Sequence, residues 1–186
     1  MNDDKRRELY MFVSSILKDF VQNNKKVVSF SLKENELDKF CKEFVLFLKS
    51  GTWIFLKGEI GSGKTTLTKS LAQVLNCKDL SSPTFSILNK HELKESILGF
   101  DAVFHLDLYR INKDEELFYL GLEDELSFNP NSLVFLEWPN RVSKKFWPVF
   151  FKKTLCPMPK LFFEIEISYS RENTFRTYKI SKLALF

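Results

Sequence analysis

Gly58-Glu59-Ile60-Gly61-Ser62-Gly63-Lys64-Thr65-Thr66 carries the pattern G-x-x-x-x-G-K-[ST], and the residues on either side decide what it means. Before it runs Thr52-Trp53-Ile54-Phe55-Leu56, apolar and β-prone, with the length of a buried strand. After it Leu67, Leu71, Ala72 and Leu75 recur at helical spacing, predicting a helix from Lys64 to about Asn76. Strand, glycine loop and helix is the order a phosphate cradle requires. Gly58, Gly61 and Gly63 let successive backbone N–H groups point into one concavity, and the helix start adds partial positive charge. Lys64 is expected to reach the β- and γ-phosphate oxygens, and Thr65 to offer its hydroxyl to Mg²⁺.

Working outward, a phosphate loop alone implies only that a nucleoside triphosphate binds. Hydrolysis or transfer also needs a second anchor for Mg²⁺ and a group that positions the nucleophile. Acids at the ends of apolar strands are the places to look, because those ends face the ligand crevice of an open α/β sheet. Glu137 follows Leu133-Val134-Phe135-Leu136 in the layout of a Walker B acid, which points to a magnesium role. Asp107 follows Val103-Phe104-His105-Leu106 and precedes Tyr109-Arg110, which points to a catalytic or metal-linked one. His105 lies inside the apolar run and reads as a packed core histidine. Being two residues from Asp107, it can share that residue's side of the sheet. Ser82-Pro83-Thr84-Phe85 sits where related folds place a loop sensing the γ-phosphate, although a plain proline turn fits the same residues. Trp138 reads equally as packing or as an exposed contact. Asn89-Lys90-His91-Glu92 imitates a guanine-reading motif but ends in Glu and precedes both acids, so ATP is the expected nucleotide.

Strands alternate with helices early and run strand after strand late. The expected fold is α/β: a P-loop NTPase-like three-layer domain over residues 27–186, with a mixed sheet of parallel core and antiparallel edges. A strand is predicted over 27–30, and Ser31 with Glu34 forms a capping box for the helix that Gly51 ends. Residues 92–101 read as a polar, hairpin-like connection, and Asp114 as the N-cap of a helix over 115–120 closed by Gly121. Strands at 161–168 and 174–181 pair as a hairpin. Residues 1–26 form a separate amphipathic extension, with Leu9, Phe12, Val13, Ile16, Leu17 and Phe20 at helical spacing, expected to pack on the domain's flank.

A chain of 186 residues supports one well-buried core. Its net charge of +4 permits contact with nucleic acid without arguing for it, and the lysines at 144, 145, 152 and 153 read as a solvated face. Three cysteines, odd in number and without metal-ligand spacing, imply buried thiols in a reduced compartment. With no export signal and no run of membrane-spanning length, the expected location is the cytoplasm.

The phosphate loop, Ser82-Pro83-Thr84-Phe85, His105-Leu106-Asp107-Leu108-Tyr109-Arg110 and Glu137-Trp138 occur in that order, and together they resemble the bacterial TsaE (YjeE) family of small P-loop ATPases. The likeness covers about residues 28–181. It implies a role in making N6-threonylcarbamoyladenosine beside the tRNA anticodon, with the TsaB–TsaD pair as partner and tRNA reached through that complex. It further implies that Thr65 and Glu137 hold magnesium and that Gly61, Ser62, Gly63, Lys64, Thr65 and Thr66 hold the phosphates of ATP. Asp107 matches the acid on which ATPase activity depends, and Thr84 the switch-loop threonine. Glu34 and Arg176 match positions flanking the nucleotide base. Hydrolysis is expected to be slow without partners, since no arginine finger is evident beyond the candidate Arg110. Other readings of the same loop are a small-molecule kinase and a nucleotide-switched binding module. Ser62 stands where the family commonly has Ala, and the first 26 residues fall outside its pattern.

Overall fold

The computed structural model describes residues 13–20, 26–77, 80, 86–143, 145–169 and 175–184. Its centre is β2 (Thr52–Lys57), whose first five residues are all buried. A strand covered on both faces must be apolar throughout, and Trp53-Ile54-Phe55-Leu56 meets that demand. Strands β5 (Leu133–Glu137) and β6 (Leu161–Tyr169) flank β2, each parallel to it. Beyond β5 lies β4 (Phe100–Asp107), also parallel, followed by antiparallel β3 (Leu88–Ile97). Beyond β6, β7 (Arg176–Lys182) and β1 (Val27–Leu32) add antiparallel neighbours, giving the order β1-β7-β6-β2-β5-β4-β3. The expected mixed sheet, parallel at the core and antiparallel at the edges, is present.

Alternation along β2 divides the core in two. Ile54 and Leu56 face one cluster, which includes Phe44, Leu67, Leu71 and Phe163, beneath α2 (Leu37–Val45) and α3 (Lys64–Val74). Trp53 and Phe55 face the other, with Phe104, Leu136, Trp147 and Phe150, beneath α4 (Leu122–Phe128) and α5 (Phe146–Lys153). The sheet is therefore the middle of three layers. Each large side chain so buried contributes about 1.5–3 kcal/mol. Residues 13–20 are helical (α1), and Leu17 and Phe20 are fully buried in the first cluster, with the Phe20 ring 6.0 Å from that of Phe163. Among the described residues no helix is long and apolar enough to cross a membrane. Cys41, Cys77 and Cys156 are buried and form no disulfide.

Several local expectations shift. Ser31 belongs to β1, where its hydroxyl meets that of Thr177 at 3.2 Å, so it opens no helix. The chain turns two residues later, where the Lys33 N–H donates to Glu36 Oε2 at 2.8 Å. The polar stretch after Glu92 remains extended as far as Ile97 and turns at Leu98-Gly99, both with positive φ. As an edge strand with mostly half-exposed side chains, β3 lacks the apolar alternation that would announce it. The expected helix over 115–120 is a 3₁₀ turn at Asp114–Leu120, with Gly121 left-handed at its end. Helices α4 and α5 arise where the sequence pattern predicts none. The aromatic α5 is core, with Phe146, Trp147, Phe150 and Phe151 all buried.

Candidate nucleotide site

The loop between β2 and α3 is shaped by glycines in backbone conformations that other residues rarely adopt. Gly58 has φ 145°, and a Cβ there would lie 2.5 Å from the Ile167 carbonyl oxygen and 2.5 Å from Ser62 Oγ. Gly63 has φ 103° and precedes the first turn of α3. Lys64, almost completely buried, folds back over the loop and donates to the carbonyls of Gly58 at 2.9 Å and Glu59 at 3.0 Å. The Glu59 carbonyl also accepts from the Ser62 N–H at 3.1 Å. One carbonyl oxygen thus collects an ammonium and a backbone amide, the two kinds of donor a phosphate oxygen would take. Burial pushes the Lys64 pKa below its ordinary value, while Glu137 and then Asp107 act in the opposite direction. Behind the ammonium stands the Trp138 ring, its centroid 4.0 Å from Nζ. Trp138 holds a left-handed backbone, φ 58° and ψ 49°, which is rare for a bulky side chain. Its ring packs on Tyr109, which in turn lies beneath Arg141.

Parallel pairing of β4 with β5 sets Asp107 opposite Glu137, and pairing of β2 with β5 sets Glu137 opposite Leu56, two residues before the loop. Both acids therefore lie at the loop end of the sheet. They differ in setting. Glu137 is buried, and its Oε1 accepts from Thr65 Oγ1 at 2.8 Å and from His105 Nε2 at 2.9 Å. A threonine hydroxyl that donates to a carboxylate keeps its oxygen lone pairs, so the pair presents acceptor oxygens suited to a hard cation. Asp107 is half-exposed and accepts from the Tyr109 N–H at 3.0 Å, closing the 3₁₀ turn that follows β4. His105 is fully buried, and among the described residues its Nδ1 has no partner. That orphaned atom costs about 1–3 kcal/mol, much the same as the about 1.5–3 kcal/mol that a bond to a charged group contributes, so the imidazole adds little net stability.

The other expected residues fall as follows. Thr66 is exposed on the first turn of α3, and Ser62 is buried with its hydroxyl lacking a partner among the described residues. Arg176 begins β7 beside the loop, its Nε 3.3 Å from where a Gly63 Cβ would be. Arg176 pairs in register with Leu32, and Glu34 follows two residues later in an exposed turn at the same corner. Arg110 is exposed on the turn after Asp107. Thr84 and the rest of Ser82–Phe85 lie outside the described residues. Two contributors escape a reading of the sequence: the Tyr169 hydroxyl, which donates to the Gly61 carbonyl, and the bond from His105 to Glu137. Nothing in the sequence announces the first, since it depends on where β6 ends. The second follows from the two-residue spacing of His105 and Asp107 once β4 is placed beside β5.

A family model described as threonylcarbamoyl adenosine biosynthesis protein TsaE matches residues 31–175. The chain belongs to the TsaE family. Among TsaE proteins described as tRNA threonylcarbamoyladenosine biosynthesis proteins, that of Rickettsia bellii is 34% identical over 56% of this chain and 69% of its own. That of Borreliella burgdorferi is 34% identical over 57% of this chain and 73% of its own, and that of Haemophilus influenzae 29% identical over 55% and 65%. The crystal structure of Bacillus subtilis YdiB superposes with a TM-score of 0.57 at 21% identity, covering 86% of this chain and 87% of that one, which supports the fold. The span matched by the TsaE family runs from the end of β1 to the start of β7 and so contains every candidate site residue except Arg176.

Proposed function

We propose that this TsaE protein is an ATPase serving threonylcarbamoyladenosine synthesis on tRNA in the cytoplasm, acting with a TsaB–TsaD complex. The observation that carries the reading is the 2.8 Å bond from Thr65 to Glu137, which ties the first turn of the loop helix to the acid at the end of β5. Gly61 to Thr66 would hold the phosphates of ATP through backbone amides, with Lys64 exchanging its loop carbonyls for phosphate oxygens. Thr65 and Glu137 would hold Mg²⁺, which would supply charge neutralisation on the phosphates. Among the described residues no cluster of three His, Cys, Asp or Glu side chains is arranged to chelate a metal. That suits magnesium, which takes one or two protein ligands and completes its shell with water and substrate phosphates. Asp107, half-exposed beside this pair, would orient the attacking water. Arg176 and Glu34 would border the nucleotide at the β1–β7 corner.

The test compares the parent with Asp107→Ala. ATP binding is expected to persist in the variant while phosphate release is lost, and equal loss of both would make Asp107 a binding residue. Co-purification with TsaB and TsaD, with and without ATP and magnesium, tests the partner. Capture should depend on the nucleotide. Absence of phosphate release with both partners present would refute the ATPase assignment.

A further inference from the structure

We infer that His105 is a positioning residue: its Nε2 holds the Glu137 carboxylate in the orientation from which it meets the magnesium of bound nucleotide. The inference rests on the proposed nucleotide site and adds a residue to it. Glu137 receives two described side-chain bonds, both on Oε1, and they come from opposite sides of the site. Thr65 belongs to α3 and moves with the phosphate loop, whereas His105 sits inside β4, on the strand hydrogen-bonded to Glu137's own. Among the described residues, the histidine alone therefore ties the carboxylate to a neighbouring strand of the sheet rather than to the loop helix.

The surroundings of His105 argue against a packing role. On its own side of the sheet stand Val103, two residues earlier, and Phe135, its register partner on β5, both fully buried apolar residues. A phenylalanine would fill such a position without leaving Nδ1 unpaired. The imidazole brings little net stability, so what it adds is the direction of one bond. In the tautomer that carries its proton on Nε2, His105 donates to Glu137 Oε1. Outer-shell partners of metal-binding carboxylates act in this way, fixing the orientation of the ligand that touches the ion.

The experiment uses the full chain and reads ATP affinity by calorimetry, at increasing MgCl₂ and separately in EDTA, with melting temperature as a check on folding. Three variants are compared with the parent. H105F keeps the shape and removes the donor, H105N keeps a polar group too short to reach Oε1, and H105Q places an amide N–H where Nε2 stood. H105F and H105N should raise the magnesium concentration needed for half-maximal affinity by about 10–100-fold, as outer-shell losses do. H105Q should return most of that loss, and binding in EDTA should be the same in all four proteins. A magnesium midpoint in H105F equal to the parent's overturns the inference, and so does equal behaviour of H105N and H105Q. If H105F fails to fold, the contrast between Asn and Gln decides alone. A parent whose ATP affinity ignores magnesium, or is absent, refutes the nucleotide reading itself, an outcome distinct from parity among the variants.

Discussion

Replacing Gly58 by alanine asks whether the loop is locked against β6 as the geometry requires. The added methyl would meet the Ile167 carbonyl oxygen and Ser62 Oγ, each at 2.5 Å, and the first of these is backbone in the middle of a paired strand. The φ of 145° is one that residues with a side chain rarely adopt, and holding such a residue there costs about 1–3 kcal/mol. Making room displaces β6 or the loop, at about 1–3 kcal/mol more. At about 2–4 °C per kcal/mol for a chain of this size, the combined loss lowers the melting temperature by about 4–24 °C. Gly121 supplies the control. It is also left-handed, φ 65°, but a Cβ there would touch nothing within 4 Å. Gly121→Ala therefore carries only the conformational penalty of about 1–2 kcal/mol, or about 2–8 °C. Scanning calorimetry measures both, and an ATP titration below each transition reads the site. Gly58→Ala should lose nucleotide affinity while Gly121→Ala keeps it. The reasoning is refuted if Gly58→Ala melts with Gly121→Ala and binds ATP like the parent.

Three further outcomes are expected. Burial lowers the Lys64 pKa, so between that lowered value and about 10.4 the unfolded chain binds a proton the folded one lacks, and Lys64's contribution to stability rises with pH. ATP affinity should fall over the same interval as the ammonium is lost. Melting curves of the parent and Lys64→Met from neutral pH to pH ~10 check the first part, because the variant should lack the rise. Tyr169→Phe deletes the hydroxyl that donates to the Gly61 carbonyl. A neutral bond is worth about 0.5–1.5 kcal/mol, so ATP affinity should weaken by about 2–12-fold in a calorimetric titration. Leu17→Ala opens a cavity at a fully buried position of the first cluster. It should cost about 2–5 kcal/mol and about 4–20 °C, whereas an unchanged melting temperature would mean that α1 does not pack where it is described.

The central strand, the loop, the helix after it and both acids were legible because each announces itself locally. Four consecutive apolar residues, a glycine pattern and 3.6-residue spacing all read without knowledge of the partner strands. Other elements depended on what they pack against. At β3, Lys90 is paired with Glu92 and Glu125, at 2.9 and 3.0 Å, in a run of polar residues that resembles a loop until a neighbouring strand is supplied. At α5 the run Phe146-Trp147-Pro148-Val149-Phe150-Phe151 is too uniformly apolar to display a face. It becomes a helix because Trp147 and Phe151 both close on Trp53, at 5.3 and 5.2 Å. The capping pattern at Ser31 misled because a serine in an edge strand and a serine at a helix start are written alike.

The two acids show most plainly where local pattern ends and assembly begins. In the sequence Asp107 and Glu137 are near equivalents, each an acid closing an apolar run, and register makes them direct neighbours. What separates them is the strand beyond. Glu137 stands between β4 and β2, so His105 reaches it from one side and Thr65, at the head of the helix that follows β2, from the other. Asp107 lies next to the antiparallel edge, where the Ile87 carbonyl takes its N–H and its carboxylate is left to cap a turn facing the crevice. A buried carboxylate with two hydrogen bonds is oriented, which suits the cation ligand proposed for Glu137. A half-exposed one retains the freedom and the water contact that orienting a nucleophile requires. Exchanging the residues, Asp107→Glu with Glu137→Asp, would therefore not exchange their proposed roles, because the two settings belong to the order of strands in the sheet.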